Sequence, residues 1–203
     1  MTVRVKICGV TRVVDAEAAI AAGADLLGLN FYAPSPRSID LECALEIRHS
    51  IGARAKVVGV FVNADRAYVS DRLREVRLDL IQFHGDEEND ALAGWPVPVI
   101  RAVRVRGGEA AAAISSAHAD YILLDTFHPA LYGGSGVARP LEDLHGLDLS
   151  RVFISGGLSP TNVAEAAALR PYAVDAASGV ESAPGVKDHP KLRSFVANAK
   201  SPR

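Results

Sequence analysis

The 203-residue chain holds only two cysteines, Cys8 and Cys43, with no Cys-x-x-Cys pair. That scarcity argues against a disulfide framework and against a structural zinc site. An excess of one charge is also lacking, since 22 Lys and Arg against 24 Asp and Glu leave a formal net charge of −2. Neither nucleic acid nor an anionic membrane is therefore expected as a partner. No apolar run approaches the roughly 20 residues a membrane span needs. Residues 1–11 lead straight into a strand pattern, unlike a secretory leader, so a cytoplasmic protein is expected. Missing too are Gly-x-Gly-x-x-Gly after the first strand, the Gly-Lys-[Ser/Thr] of a phosphate loop, and any His-x-His or His-Glu-x-x-His. Dinucleotide, nucleoside triphosphate and metal chemistry are not indicated.

What the chain does have is a recurring apolar run. "VRVKICG", "DLLGLNFY", "KVVGVFVN", "DLIQFHG", "VPVIRAVRV", "DYILLDT", "RVFISGG" and "YAVDAASG" read as eight strands. Helical stretches lie between them at 13–24, 40–51, 65–76, 107–119 and 159–170. Near-continuous apolar strands alternating with helices imply a parallel sheet covered on its outer face. Eight units of about 25 residues fit a single-domain (β/α)8 barrel over residues 1–203, with few insertions. Asp25, Asp79 and Asp120 each stand just ahead of an even-numbered strand, a weak repeat that favours closure over an open doubly wound sheet. Residues 128–150, rich in Gly and Pro, remain unassigned to any element.

Strand side chains alternate faces, so Lys6 and Cys8 share one side of "RVKICGV" while Val5 and Ile7 take the other. Alone, such a cysteine reads as packing beside a snorkelling lysine. In barrels of this kind chemistry sits at the C-terminal strand ends. There the sequence collects Lys6, Cys8, Asn30, Asn63, Gln82, His84, Arg101 or Arg104, Asp125, Ser155 and Asp175. Crowding polar groups at one rim points to a site, because a buried unsatisfied polar group costs roughly 1–3 kcal/mol. Three glycine-bearing turns, at 132–136, 154–160 and 176–181, supply backbone N–H groups that a ligand can approach closely. Their Gly134, Gly136, Gly156, Gly157, Ser178 and Gly179 are candidate phosphate ligands, at loops where such barrels commonly hold phosphate. Ser159 and Pro160 read as N-cap and first residue of the helix that follows.

A cysteine thiol titrates near pH ~8.5 when unperturbed, and a neighbouring lysine is expected to lower that value. Cys8 then becomes partly thiolate and serves as a general base. Asp125, shielded enough to hold a proton, serves as general acid across from it; the plainer alternative is a carboxylate bracing its own loop. Acid opposite base suggests isomerisation. His84 and His128 lack metal-ligand spacing and read as hydrogen-bonding rim residues. Arg101, Arg104 and Arg106 read as solvated or local to a small anion. Cys43 lies on the i, i+4, i+8 line with Ile47 and Ile51, the face expected against the barrel, where a thiol is inert.

"VKICGVT" (5–11), "NFYAPSPRSI" (30–39), "VGVFVN" (58–63), "IQFHGDE" (81–87), "ILLDT" (122–126), "GGSG" (133–136), "ISGGLSPTNV" (154–163) and "VDAASGVESAPGVKDH" (174–189) follow in order along nearly the whole chain. Together they resemble the phosphoribosylanthranilate isomerase family of tryptophan biosynthesis. The resemblance implies a (β/α)8 barrel that converts N-(5-phosphoribosyl)anthranilate to 1-(o-carboxyphenylamino)-1-deoxyribulose 5-phosphate. That Amadori rearrangement uses no metal and no organic cofactor, and its only implied partner is the small-molecule substrate. By the same resemblance Cys8 is the base at ribose C2, Asp125 the acid at the ring oxygen, and Arg37 the partner of the anthranilate carboxylate. Gly156, Gly157, Ser178 and Gly179 match the phosphate turns, and Asp175 and Gln82 match positions lining the sugar. The chain departs from the family pattern in "VARPLEDL" after its glycine loop and in Ala177, where a serine is usual. Monomer and homodimer stay open. Two rivals remain: a histidine-pathway isomerase, which carries a carboxylate where this chain has Cys8, and a barrel that binds a sugar phosphate without turning it over.

Overall fold

A computed structural model describes residues 2–105, 108–126 and 141–201. Its eight parallel strands are β1 (Arg4–Cys8), β2 (Leu26–Asn30), β3 (Lys56–Phe61), β4 (Leu80–Phe83), β5 (Val99–Val105), β6 (Tyr121–Thr126), β7 (Val152–Ile154) and β8 (Ala173–Ala176). They pair in chain order, and β8 closes on β1. Around them lie α1 (Val13–Ala21), α2 (Leu41–Ile51), α3 (Arg66–Val76), α4 (Asn89–Leu92), α5 (Ala110–Ser116), α6 (Val163–Ala168) and α7 (His189–Lys200). The expected (β/α)8 barrel is the architecture found.

Alternation along the strands sorts side chains into two apolar layers. Outward-facing Val5, Ile7, Leu27, Val57, Ile81, Ile122, Ile154 and Val174 pack beneath the helices against Ala16, Ile47, Val69 and Phe195. Inward-facing Leu26, Val58, Leu80, Ile100, Leu123, Phe153 and Ala173 fill the barrel. Burying each large aliphatic or aromatic side chain stabilises the fold by about 1.5–3 kcal/mol. Two residues further along, the inward positions turn polar: Gln82 follows Leu80, Asp125 follows Leu123, Ser155 follows Phe153 and Asp175 follows Ala173. The site is thus built on the plug that fills the barrel below it.

The aspartate repeat has a structural meaning. Asp25, Asp79 and Asp120 each accept, at 2.8 Å, the backbone N–H of Val5, Val57 and Val99 respectively. Each residue ahead of an even strand therefore staples the start of the preceding odd strand. Lys200 and Arg48 pair with Asp25 and Asp79 at 2.9 and 3.0 Å.

Several elements differ from expectation. The helix expected at Ser159 begins only at Val163, because Thr161 N–H turns back to Ser159 Oγ and Ser159 N–H donates to Asn162 Oδ1. The helix at 107–119 contracts to α5. The single turn α4, stopped by Gly94 and Pro96, and the terminal α7 were not anticipated. Neither was the antiparallel hairpin of β9 (Glu181–Ala183) and β10 (Val186–Lys187) after β8. Within 141–150 a 3-10 turn forms at Glu142–Leu144; Gly134, Gly136, His128 and Arg106 lie outside the described residues. On α2 the buried face is Ala44, Ile47 and Ile51, with Cys43 at its edge and its thiol on the Thr11 carbonyl at 3.0 Å.

Candidate active site

At the C-terminal end of the barrel a cleft of about 450 Å³ is lined by Cys8, Asn30, Arg37, His84, Asp125, Ser155 and Asp175, with Tyr32, Val60, Val62 and Pro184 as apolar wall. That volume lies within the several hundred Å³ usual for small-molecule sites. A smaller recess shares Asp125, Ser155, Asp175 and Ala177 with it and continues along Gly156, Gly157, Ser178 and Gly179. The combined site is elongated, with an arginine at one end and glycine turns at the other.

Cys8 closes β1 beside Gly28 of β2. A Cβ at Gly28 would lie 2.8 Å from Cys8 Sγ, so the bare glycine makes room for the sulfur. Below it Lys6 is fully buried and donates to Asp175 Oδ1 at 2.9 Å, while Ser155 Oγ reaches Asp175 Oδ2 at 3.2 Å. Burial opposes the ammonium of Lys6, but Asp175 and Cys8 outweigh it and hold its pKa above the usual lysine value. For Cys8 the balance runs the other way. Burial, helped by the Asp175 carboxylate, pushes the thiol up, and Lys6 and Lys187 do not reverse the shift. The expected lowering by Lys6 is overturned by burial of the thiol, to which the Asp175 carboxylate adds.

On β4, Gln82 is fully buried behind His84 rather than on the cleft wall, and its Nε2 lies 2.9 Å from His84 Nδ1. With the amide donating, His84 carries its proton on Nε2. That atom is 3.3 Å from Asp125 Oδ2. His84 Nε2 and Gln82 Oε1 are buried without a well-formed hydrogen bond among the described residues. Buried polar groups left in that state are costly.

Asn30 accepts from Tyr32 N–H at 2.9 Å and donates to Ser35 Oγ at 3.1 Å, shaping the loop that delivers Arg37. Gly156 and Gly157 have φ of 86° and 66°, which L side chains rarely adopt. A Cβ at Gly179 would collide with the Leu158 carbonyl oxygen, so the turns after β7 and β8 are in direct contact. Three rim residues stay out of the cleft. Arg101 pairs with Glu87 at 2.9 Å, Arg104 with Asp86, and Asn63 binds the same loop through its backbone and side chain. The two arginines pair with carboxylates of the loop after β4.

The sequence model of the N-(5'phosphoribosyl)anthranilate (PRA) isomerase family matches residues 5–198. The chain belongs to the phosphoribosylanthranilate isomerase family. A Myxococcus xanthus N-(5'-phosphoribosyl)anthranilate isomerase is 48% identical over 208 residues, spanning 99% of this chain and 98% of its own. The crystal structure of the Thermus thermophilus isomerase superposes with a TM-score of 0.85 at 39% identity, covering 96% and 97% of the two chains. A second family structure, in complex with reduced 1-(o-carboxyphenylamino)-1-deoxyribulose 5-phosphate, gives a TM-score of 0.83 at 37% identity, with 98% of each chain covered. The chain is accordingly an aldose–ketose type isomerase of tryptophan biosynthesis.

Reading a phosphoribosylanthranilate isomerase by strand ends alone leaves out Glu181 and Lys187. They stand on the hairpin beyond β8 and reach back to Arg37 and Cys8. A glutamate and a lysine flanking Ala-Pro-Gly were the available signal.

Proposed function

We propose that this cleft turns over N-(5'-phosphoribosyl)anthranilate to 1-(o-carboxyphenylamino)-1-deoxyribulose 5-phosphate with Cys8 as base and Asp125 as acid. The observation that carries this reading is that a thiol from β1 and a carboxyl from β6 line one cleft, between Arg37 and a recess of glycine turns. Asp125 delivers a proton to the ring oxygen as the C1–O bond breaks and the nitrogen lone pair forms a C=N bond. Cys8, as thiolate, then takes the proton from C2, and its electron pair flows back to nitrogen to give an enol-amine. Loss of the O2 proton and gain of one at C1 complete the ketone, so substrate and product are isomers. General acid and base help of this kind contributes about 10²–10⁴-fold each.

The other site residues fall into place around that chemistry. Arg37 receives the anthranilate carboxylate, a match for its planar fork. His84, steadied by Gln82, and Asp175 face the sugar. Gly156, Gly157, Ser178 and Gly179 hold the phosphate through backbone N–H groups, with Gly134 and Gly136 assigned to the same end. The chain acts as one domain over 1–203 in the cytoplasm, as monomer or homodimer, without cofactor or nucleic acid. Among the described residues, no helix is long and apolar enough to cross a membrane.

Incubating the purified protein with freshly made substrate, whose fluorescence falls on isomerisation, tests the function. A first-order decay proportional to protein concentration is expected. Unchanged fluorescence would reject it.

A further inference from the structure

Behind the Arg37 end of the cleft, the β9–β10 hairpin carries buried charges to which the acid–base steps assign no role. Glu181, 8% exposed, accepts from Arg37 Nε at 3.0 and 3.1 Å and from Arg37 Nη2 at 2.8 Å. Its Oε1 also accepts from Lys187 Nζ at 2.8 Å. Lys187, 3% exposed, donates in turn to the Cys8 carbonyl at 2.6 Å. The stem of Arg37 crosses the end of β1 where Gly9 lacks a side chain; a Cβ there would sit 2.6 Å from Arg37 Cδ. Burial works against the charge of Glu181, yet Arg37 and Lys187 hold its carboxyl below the usual range, while burial draws the Lys187 ammonium down from the usual lysine value. One carboxylate thus grips both the arginine that lines the cleft and the lysine that fastens the main chain of Cys8. Arg37 Nη1 is left without a partner among the described residues.

We propose that Glu181 is a positioning residue of this active site, holding Arg37 ready for a carboxylate and, through Lys187, tying it to the strand end that presents Cys8. The proposal rests on the reading of Arg37 as the carboxylate-binding group. An arginine otherwise free to rotate loses conformational freedom when it binds substrate, and prior fixing by Glu181 removes that cost from binding. A carboxylate grip on two nitrogens also restricts which anion geometry Arg37 accepts.

The test is steady-state kinetics with thermal melting on the full chain for Glu181→Gln, Arg37→Ala and the double variant, with inorganic phosphate as competitive probe of the far end. Glu181→Gln is expected to raise KM about tenfold, keep kcat within about threefold and leave phosphate inhibition unchanged. In the Arg37→Ala background it should add nothing to KM. An unchanged KM in Glu181→Gln, with KM raised in Arg37→Ala, overturns the proposal alone, as does an equal rise in both backgrounds. An unchanged KM in Arg37→Ala overturns the carboxylate assignment and the proposal with it. Should the lone buried Lys187 charge prevent folding, Glu181→Gln with Lys187→Met removes both charges and is read by the same criteria.

Discussion

Lys6 and Asp175, paired in register across the seam between β1 and β8, hold their ammonium and carboxylate 2.9 Å apart in the barrel interior. The pair leaves burial as the leading influence on Cys8, whose thiol is pushed above its usual value. A raised pKa means that Cys8 keeps its proton at neutral pH and that the base form grows as pH rises. Its contribution to stability is fully present below the unfolded thiol pKa and is lost as pH climbs through the folded one.

Alkylation by iodoacetamide should therefore be slow near pH 7 and accelerate towards pH ~9, as the thiolate fraction rises. Activity should fall in step with modification of Cys8. Cys43 is the internal control: burial, then Asp40, Glu46 and Glu42, all oppose its ionisation. Peptide mass mapping after partial inactivation should find that lost activity follows the label on Cys8 and not the label on Cys43. Full label on Cys8 with activity retained, or a rate flat between pH ~7 and ~9, contradicts this account.

Asp125→Asn keeps the size of the side chain and removes the transferable proton. We expect kcat to fall at least about 10²-fold with the melting temperature little changed. Near wild-type turnover would return Asp125 to a bracing role on its own loop.

Asp79 lies at the far end of the barrel from the cleft and staples β3 through Val57 N–H. Asp79→Ala strands that N–H and also removes the Arg48 partner. A loss of about 1–3 kcal/mol is expected, read as a melting temperature several degrees lower with kcat unchanged. A melting temperature within about 1 °C of wild type would show that the staple carries no stability.

Much of this was legible in the chain. The eight strands announce themselves because a strand covered on both faces needs apolar side chains at nearly every position. Cys8, His84, Asp125, Ser155 and Asp175 were visible because strand ends in such a barrel converge on one rim. Contacts between distant residues were not visible. Lys6 shows its neighbour Cys8 in the sequence, but the burial of that thiol and the carboxylate of Asp175, 169 residues from Lys6, do not show, and both push the thiol up. Arg101 and Arg104 read in the sequence as solvated or local to a small anion because their carboxylates, Glu87 and Asp86, sit on another loop. Glu181 and Lys187 belong to a hairpin whose position is set by tertiary packing. For α7 the signal was present, in Asp188 capping the Lys191 N–H and Pro190 in the first turn.

Removal of the C2 proton by Cys8 is tested most directly by turning over substrate deuterated at ribose C2 with wild type and with Cys8→Ala. Cys8→Ala should fold normally, bind inorganic phosphate as wild type does, and lose at least about 10²-fold in kcat. In the wild type, deuterium at C2 should slow turnover wherever proton removal limits the rate. Turnover by Cys8→Ala within about threefold of wild type would show that the thiol of "KICG" is packing and that another group takes the proton.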